Sequence, residues 1–406
     1  NKSLYNIRVI NMSLGTPAKD SYKNDPLCLA VRRAYNAGIV VVVAAGNTGK
    51  DKDSKKMYGS INSPGIEPSA ITVGAVNTFG TDTRSDDVVA TYSSRGPTRG
   101  YTKVDGVRKY DNLIKPDLVA PGNKLIGAQS MGRIEKGFKN ELSEDYPSLK
   151  VKDNVVSYNA VTGKYSVNGI GSMYMSGTSM AAPVVAGAAA LLIQVNPNLT
   201  PSLVKAILMY TAQPLKGFNT LEQGAGELNV DGAVRLAQLV RSDLSTLAAG
   251  ANLLTGTLPS TSTIAGQSFK WSQGVVTNYG FLYGSQLMNT WQPVYRNGVV
   301  LADSTYIASG ALRQNTNLIS STVSVGRGPV QIGSSGVVLA DGVVIADGVV
   351  LADGVVIADG VVIADGVVIS DGVVLADGTT YGSSSLCASS GRAILGDNTA
   401  AMKPAP

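Results

Sequence analysis

No histidine occurs among the 406 residues, so no imidazole within the chain can act as a general base. Cysteine is almost absent too. The two thiols, Cys28 and Cys387, lie 359 positions apart in unrelated segments, which excludes a disulfide framework; Cys28 falls on the apolar side of a helical pattern and is expected to be a buried free thiol. No apolar run reaches the ~18 residues that a membrane span needs. The net charge is +5, with basic residues recurring between Lys50 and Lys115 and seven Asp but no Lys or Arg in 336–378. No basic stripe results, so the charges read as solvated surface and no nucleic-acid partner is expected. The chain also has no Met or signal segment before the apolar stretch at residues 7–12, and this start reads as that of a fragment.

What is present is a globular composition, 44% hydrophobic, in a chain long enough for two or three domains. From Ile7 to about Gln238 strand and helix patterns alternate. Strands are predicted over 7–13, 39–45, 70–76, 118–120 and 125–128; the second is a continuous apolar run, as in a parallel strand covered on both faces. Between the first two strands, Asn24-Asp25-Pro26 opens a helix that Gly38 closes. Further helices are predicted over 179–195, apolar nearly all round and therefore central and buried, and from Thr200-Pro201 to about Thr211. The fold class that follows is α/β with a doubly wound parallel sheet.

After about residue 241 the composition turns to Ser, Thr, Gly and Asn, which marks a boundary. The expected organisation is a 1–240 catalytic-type domain, a 241–335 linker or small β region, a 336–378 repeat and a 379–406 tail. The repeat is Gly-Val-Val-Leu/Ile-Ala/Ser-Asp, seven times from Gly336 to Asp377. An even period keeps each residue type on one face of extended structure. A hexapeptide β-helix and a meander with Asp-Gly turns both fit, as does low-complexity sequence without a fold, and no partner of the repeat can be named.

Three features converge on acyl transfer. Gly177-Thr178-Ser179-Met180-Ala181-Ala182-Pro183 sets a serine at the start of an apolar helix, where free backbone N–H groups and the helix dipole can stabilise an oxyanion; a plain N-cap is the alternative. Ala44-Ala45-Gly46-Asn47 follows the buried strand, where open parallel sheets bind ligands, and Asn47 could donate to developing charge; an ordinary Gly-Asn turn reads the same way. Ser13-Leu14-Gly15 ends the first strand, and an exposed edge there could pair with an extended peptide.

Together these segments resemble the subtilisin-like serine proteases, peptidase family S8, in order and spacing. VINMSLG, VVVVAAGN, ITVGAV, Tyr92-Ser93-Ser94-Arg95-Gly96-Pro97, Lys115-Pro116-Asp117 with the following Leu-Val-Ala-Pro-Gly, and GTSMAAP carry the likeness over residues 7–238. Sedolisins share a GTS serine, but their oxyanion side chain is typically an aspartate where this chain has Asn47. The resemblance implies Ser179 as nucleophile, Asn47 and the Ser179 N–H as oxyanion donors, Ser13, Leu14 and Gly15 as substrate-strand contacts, and Gly46 as a pocket wall. It implies a polypeptide substrate, export from the cell, and a chemistry that needs no cofactor or metal, with structural calcium compatible but assignable to no residue.

In that family the catalytic Asp and His precede the serine, and the resemblance places both upstream of residue 7. The expectation is therefore an N-terminally truncated serine endopeptidase, nearly inert alone because loss of the imidazole costs about 10⁶ in turnover. The competing expectation is a pseudoprotease or structural protein that displays the repeat for adhesion or assembly.

Overall fold

The computed structural model describes residues 1–129, 140–151, 156–159, 161–167, 172–278, 281–301, 305–308 and 311–314. Four parallel strands form its centre: β1 (Val9–Met12), β2 (Val40–Ala44), β3 (Ile71–Asn77) and β4 (Leu118–Pro121), paired in that order, with Val88–Val89 added antiparallel to β3. Helix α1 (Pro26–Asn36) crosses from β1 to β2. Its Asp25 cap accepts hydrogen bonds from the amides of Leu27 and Cys28 at 2.9 and 3.0 Å, Pro26 fills the first turn, and Gly38, at φ +82°, ends the crossover.

Strand β2 is buried on both faces because its alternate valines feed different layers. Val41 and Val43 pack with Val31 of α1, whereas Val40, Val42 and Ala44 join the main core beneath α2 (Thr178–Val195). The main core continues through α3 (Pro201–Thr211) and α4 (Val230–Leu239). Cys28 is fully buried and free, and burial pushes its thiol pKa up. Cys387 and the hexad repeat lie outside the described residues.

Two expectations need correction. The strand over 125–128 does not join the parallel sheet; Leu125–Ala128 pairs antiparallel with Ser172–Met175 in a separate small sheet, so the strand that leads into the serine motif belongs to that sheet. Helix α2 is not buried all round. One face, including Ala181, Ala182, Val185 and Leu192, is covered, while Leu191 and Val195 stay 45% and 39% exposed. At 18 residues α2 is also long and apolar enough for a membrane span, the one such helix among the described residues, but half of it is buried inside the protein.

Beyond α4 the chain stays attached to the same core. There, Thr261–Ile264 pairs antiparallel with Gln267–Lys270 and Gly274–Val276 with Phe281–Tyr283, beside short helical turns. Trp271, Trp291 and Tyr295 are at most 3% exposed and continuous with the core of α3 and α4. Hydrogen bonds reinforce that seam: Tyr35 donates to the Val299 carbonyl at 2.5 Å and Ser202 to the Val294 carbonyl at 2.7 Å.

Charge is also buried. The Asp117 carboxylate lies 2.7 Å from Lys115 Nζ and 2.9 Å from Lys205 Nζ, and it accepts the Thr72 amide at 2.7 Å. Two cations around one carboxylate hold the Asp117 pKa below its ordinary range despite burial. The cluster ties the start of β4 to the start of β3 and to α3.

Candidate active site

The site forms where β1 and β2 run out toward the start of α2. Ser179 is the second residue of that helix and is partly exposed. The first amides of a helix have no partner in the preceding turn. Thr178 N–H finds one in Asn47 Oδ1 at 2.9 Å, and Thr178 Oγ1 donates to the same oxygen at 3.1 Å. The Thr178 hydroxyl in turn accepts the Gly46 amide at 3.1 Å. Thr178 therefore clamps both residues that follow β2.

The clamp fixes the Asn47 carboxamide with its oxygen spent and its Nδ2 free. Among the described residues no hydrogen-bond acceptor is recorded for Asn47 Nδ2, nor for the Ser179 amide. Two unspent donors thus stand beside one hydroxyl at a helix N-terminus, an arrangement suited to a developing negative charge.

Gly46 has to be glycine. Its φ is +112°, and a Cβ there would come within 2.8 Å of Ser94 Oγ and 2.9 Å of Asn62 Cγ. Asn62 also lies against Gly15, whose Cβ would stand 3.0 Å from that of Asn62. The Asn62 side chain is thus wedged between the segments that end β1 and β2. On the far side, Gly122 O accepts Tyr92 Oη and the Gly177 amide, both at 2.8 Å, which fixes the residue before the helix. Burial pushes the Tyr92 phenol up to about 12, so it stays a protonated donor.

Ser13, Leu14 and Gly15 are exposed, Leu14 by 52%. Ser13 makes two contacts with Ser179: its Oγ donates to the Ser179 carbonyl at 2.7 Å, and its carbonyl accepts Ser179 Oγ at 3.3 Å. All six residues singled out from the sequence, Ser13, Leu14, Gly15, Gly46, Asn47 and Ser179, therefore belong to segments that meet at one place. Sequence reasoning missed Thr178 and Asn62. Thr178 was visible as the hydroxyl residue inside the GTS motif, whereas nothing in sequence marked Asn62. No group of three or more His, Cys, Asp or Glu able to hold a metal occurs among the described residues.

Comparison with known proteins identifies the family. Residues 4–233 match the model of the Subtilase family, Peptidase S8. Over 233 residues the chain is 38% identical to serine protease AprX of Bacillus subtilis (strain 168), covering 56% of this chain and 43% of that one. It is 33% identical over 206 residues to an extracellular serine proteinase of Thermus sp. (strain Rt41A), covering 51% of this chain and 33% of that one. The human membrane-bound transcription factor site-1 protease is 28% identical over 247 residues, covering 59% of this chain and 17% of that one. Among solved structures, the self-cleaved protease domain of PatA aligns with a TM-score of 0.36 at 24% identity, covering 58% of this chain and 64% of that one. The chain spans less than half the length of each of the three relatives matched by sequence. With the family model matching more than half of its residues, the chain belongs to the subtilase family of serine proteases.

Proposed function

We propose that this chain carries the nucleophile and oxyanion half of a serine endopeptidase active site. Ser179 Oγ adds to a substrate carbonyl, and the oxyanion that forms is held by Asn47 Nδ2 and the Ser179 N–H. Collapse breaks the C–N bond, the amine leaves with the proton that Ser179 gave up, and water then releases the acyl group from Ser179. An extended substrate pairs along Ser13-Leu14-Gly15, with Gly46 walling the adjacent pocket. No cofactor takes part. The observation that carries this reading is the clamped Asn47 amide, whose oxygen is spent on Thr178 while its nitrogen stays free beside Ser179.

With no histidine in the chain, the imidazole comes from outside residues 1–406. The open side of β1 is where a base-bearing segment fits: among the described residues β1 pairs only with β2, and Val9, Ile10 and Met12 are half-buried. The outer face of α2, which packs on β1, is apolar and open as well. The Thermus relative named as extracellular supports export.

The test is chemical rescue. Added imidazole should accelerate labelling of Ser179 by a fluorophosphonate, read by peptide mass mapping, and Ser179→Ala should abolish it. Labelling that ignores imidazole, or that persists at other serines in Ser179→Ala, would overturn the reading.

A further inference from the structure

Helix α2 contains a proline at its sixth position, Pro183. In an α-helix the amide of residue 183 would donate to the carbonyl of residue 179, but proline has no N–H, and its ring crowds that carbonyl. The residue whose carbonyl loses its helical donor is Ser179 itself.

The missing donor is replaced from another strand. Ser13 Oγ, at the end of β1 and 166 positions away in sequence, donates to Ser179 O at 2.7 Å. A hydroxyl has one proton and can place it in several directions. Here the choice is made by Asn11, whose Nδ2 donates to Ser13 Oγ at 3.0 Å and so occupies an acceptor site of that oxygen. The Ser13 proton is left for Ser179. We propose that Ser13 is a positioning residue for the nucleophile: its hydroxyl, oriented by Asn11, substitutes for the helical hydrogen bond that Pro183 removes from the Ser179 carbonyl.

The contact does more than fill a vacancy. The Ser179 carbonyl direction fixes the backbone at the Cα that bears the nucleophile, while Asn47 fixes the amide of the preceding residue at 2.9 Å. Ser179 is held from both sides by groups outside its helix. The Ser13 contact also ties the proposed substrate strand to the nucleophile, so a displacement of either strains the other. This role rests on Ser179 being the nucleophile.

A double-mutant cycle between Ser13→Ala and Pro183→Ala tests it, with Ser13→Thr as the conservative control. In the Pro183 background, Ser13→Ala should lower Tm by about 2–4 °C. It should also slow imidazole-dependent labelling of Ser179 by about five- to tenfold, and Ser13→Thr should restore both. In the Pro183→Ala background residue 183 supplies its own N–H, and the Tm effect of Ser13→Ala should vanish. An equal Tm loss in both backgrounds, or no loss in either, overturns the role of Ser13 while leaving labelling of Ser179 intact. Coupling in Tm with no labelling of Ser179 at any imidazole concentration overturns the nucleophile reading, and the positioning role with it.

Discussion

Strands β1 and β2 run side by side to the same site and end in opposite circumstances. β2 is buried along its whole length and delivers Gly46 into a cage made by Thr178, Ser94 and Asn62, followed by Asn47, which is exposed but clamped by Thr178. β1 is half-exposed, pairs on one side only among the described residues, and delivers Ser13, Leu14 and Gly15 to open surface. The difference separates two tasks. On the proposed reading, the side that holds donors for a transient charge is the one fixed by hydrogen bonds, through Thr178 to Gly46 and Asn47. The side that must accept other groups is open, and only Ser13 ties it to the nucleophile.

The contrast can be broken by substitutions on each side. Asn47→Ala removes the free donor and should slow imidazole-rescued labelling of Ser179 by about 10²–10³-fold; labelling within a factor of about two of the parent rate would remove Asn47 from the site. Gly46→Ala forces a Cβ into Ser94 and Asn62 at positive φ, and a stability loss of about 1–3 kcal/mol is expected in denaturant titration. Thr178→Val keeps the shape but deletes the hydroxyl that joins Gly46 to Asn47. That change should cost about 1–3 kcal/mol, read the same way, because the buried Gly46 amide loses its acceptor.

On the open side, Leu14→Ala should change stability by less than about 0.5 kcal/mol, yet weaken binding of extended peptides in a fluorescence titration. A large stability loss there would mean that the β1 end is packed after all.

A further test lies away from the site. Glu227 is 1% exposed, and burial raises its pKa to about 8, with Arg84 opposing and Asp87 adding to the rise; the Asp87 pKa is raised as well. A folded-state pKa above the unfolded one means that the folded protein binds the extra proton. Its stabilising contribution is complete below about pH 4.5 and disappears as pH climbs through about 8. Thermal melts should therefore show Glu227→Gln gaining on the parent chain between about pH 5 and pH 9, by roughly 2–4 °C.

Much of this architecture was legible because its signals are local. The unbroken valines of β2 announced burial on two faces, Asp25-Pro26 and Thr200-Pro201 announced helix starts, and GTSMAAP announced the site. Features set by a distant partner were not. Residues 125–128 read correctly as a strand, but nothing in them says that their partner is 172–175 rather than β4. The apolar composition of α2 hid its open face, since periodicity cannot report where one layer of a sheet ends. The aromatic anchors Trp271, Trp291 and Tyr295 were lost among Ser, Thr and Gly, because hairpins with few apolar residues leave little periodic pattern. Asn62 was invisible for the same reason: its place between Gly15 and Gly46 is made by tertiary structure alone.

The central claim is that Asn47 and the Ser179 amide form a finished oxyanion site in a chain without its base. Binding of a peptidyl trifluoromethyl ketone, which adds to a serine to give a tetrahedral oxyanion, tests that most directly. Isothermal titration should show binding to the parent chain, affinity lower by about 10²–10³-fold in Asn47→Ala, and no adduct in Ser179→Ala. Equal affinity in the parent chain and Asn47→Ala would contradict the account.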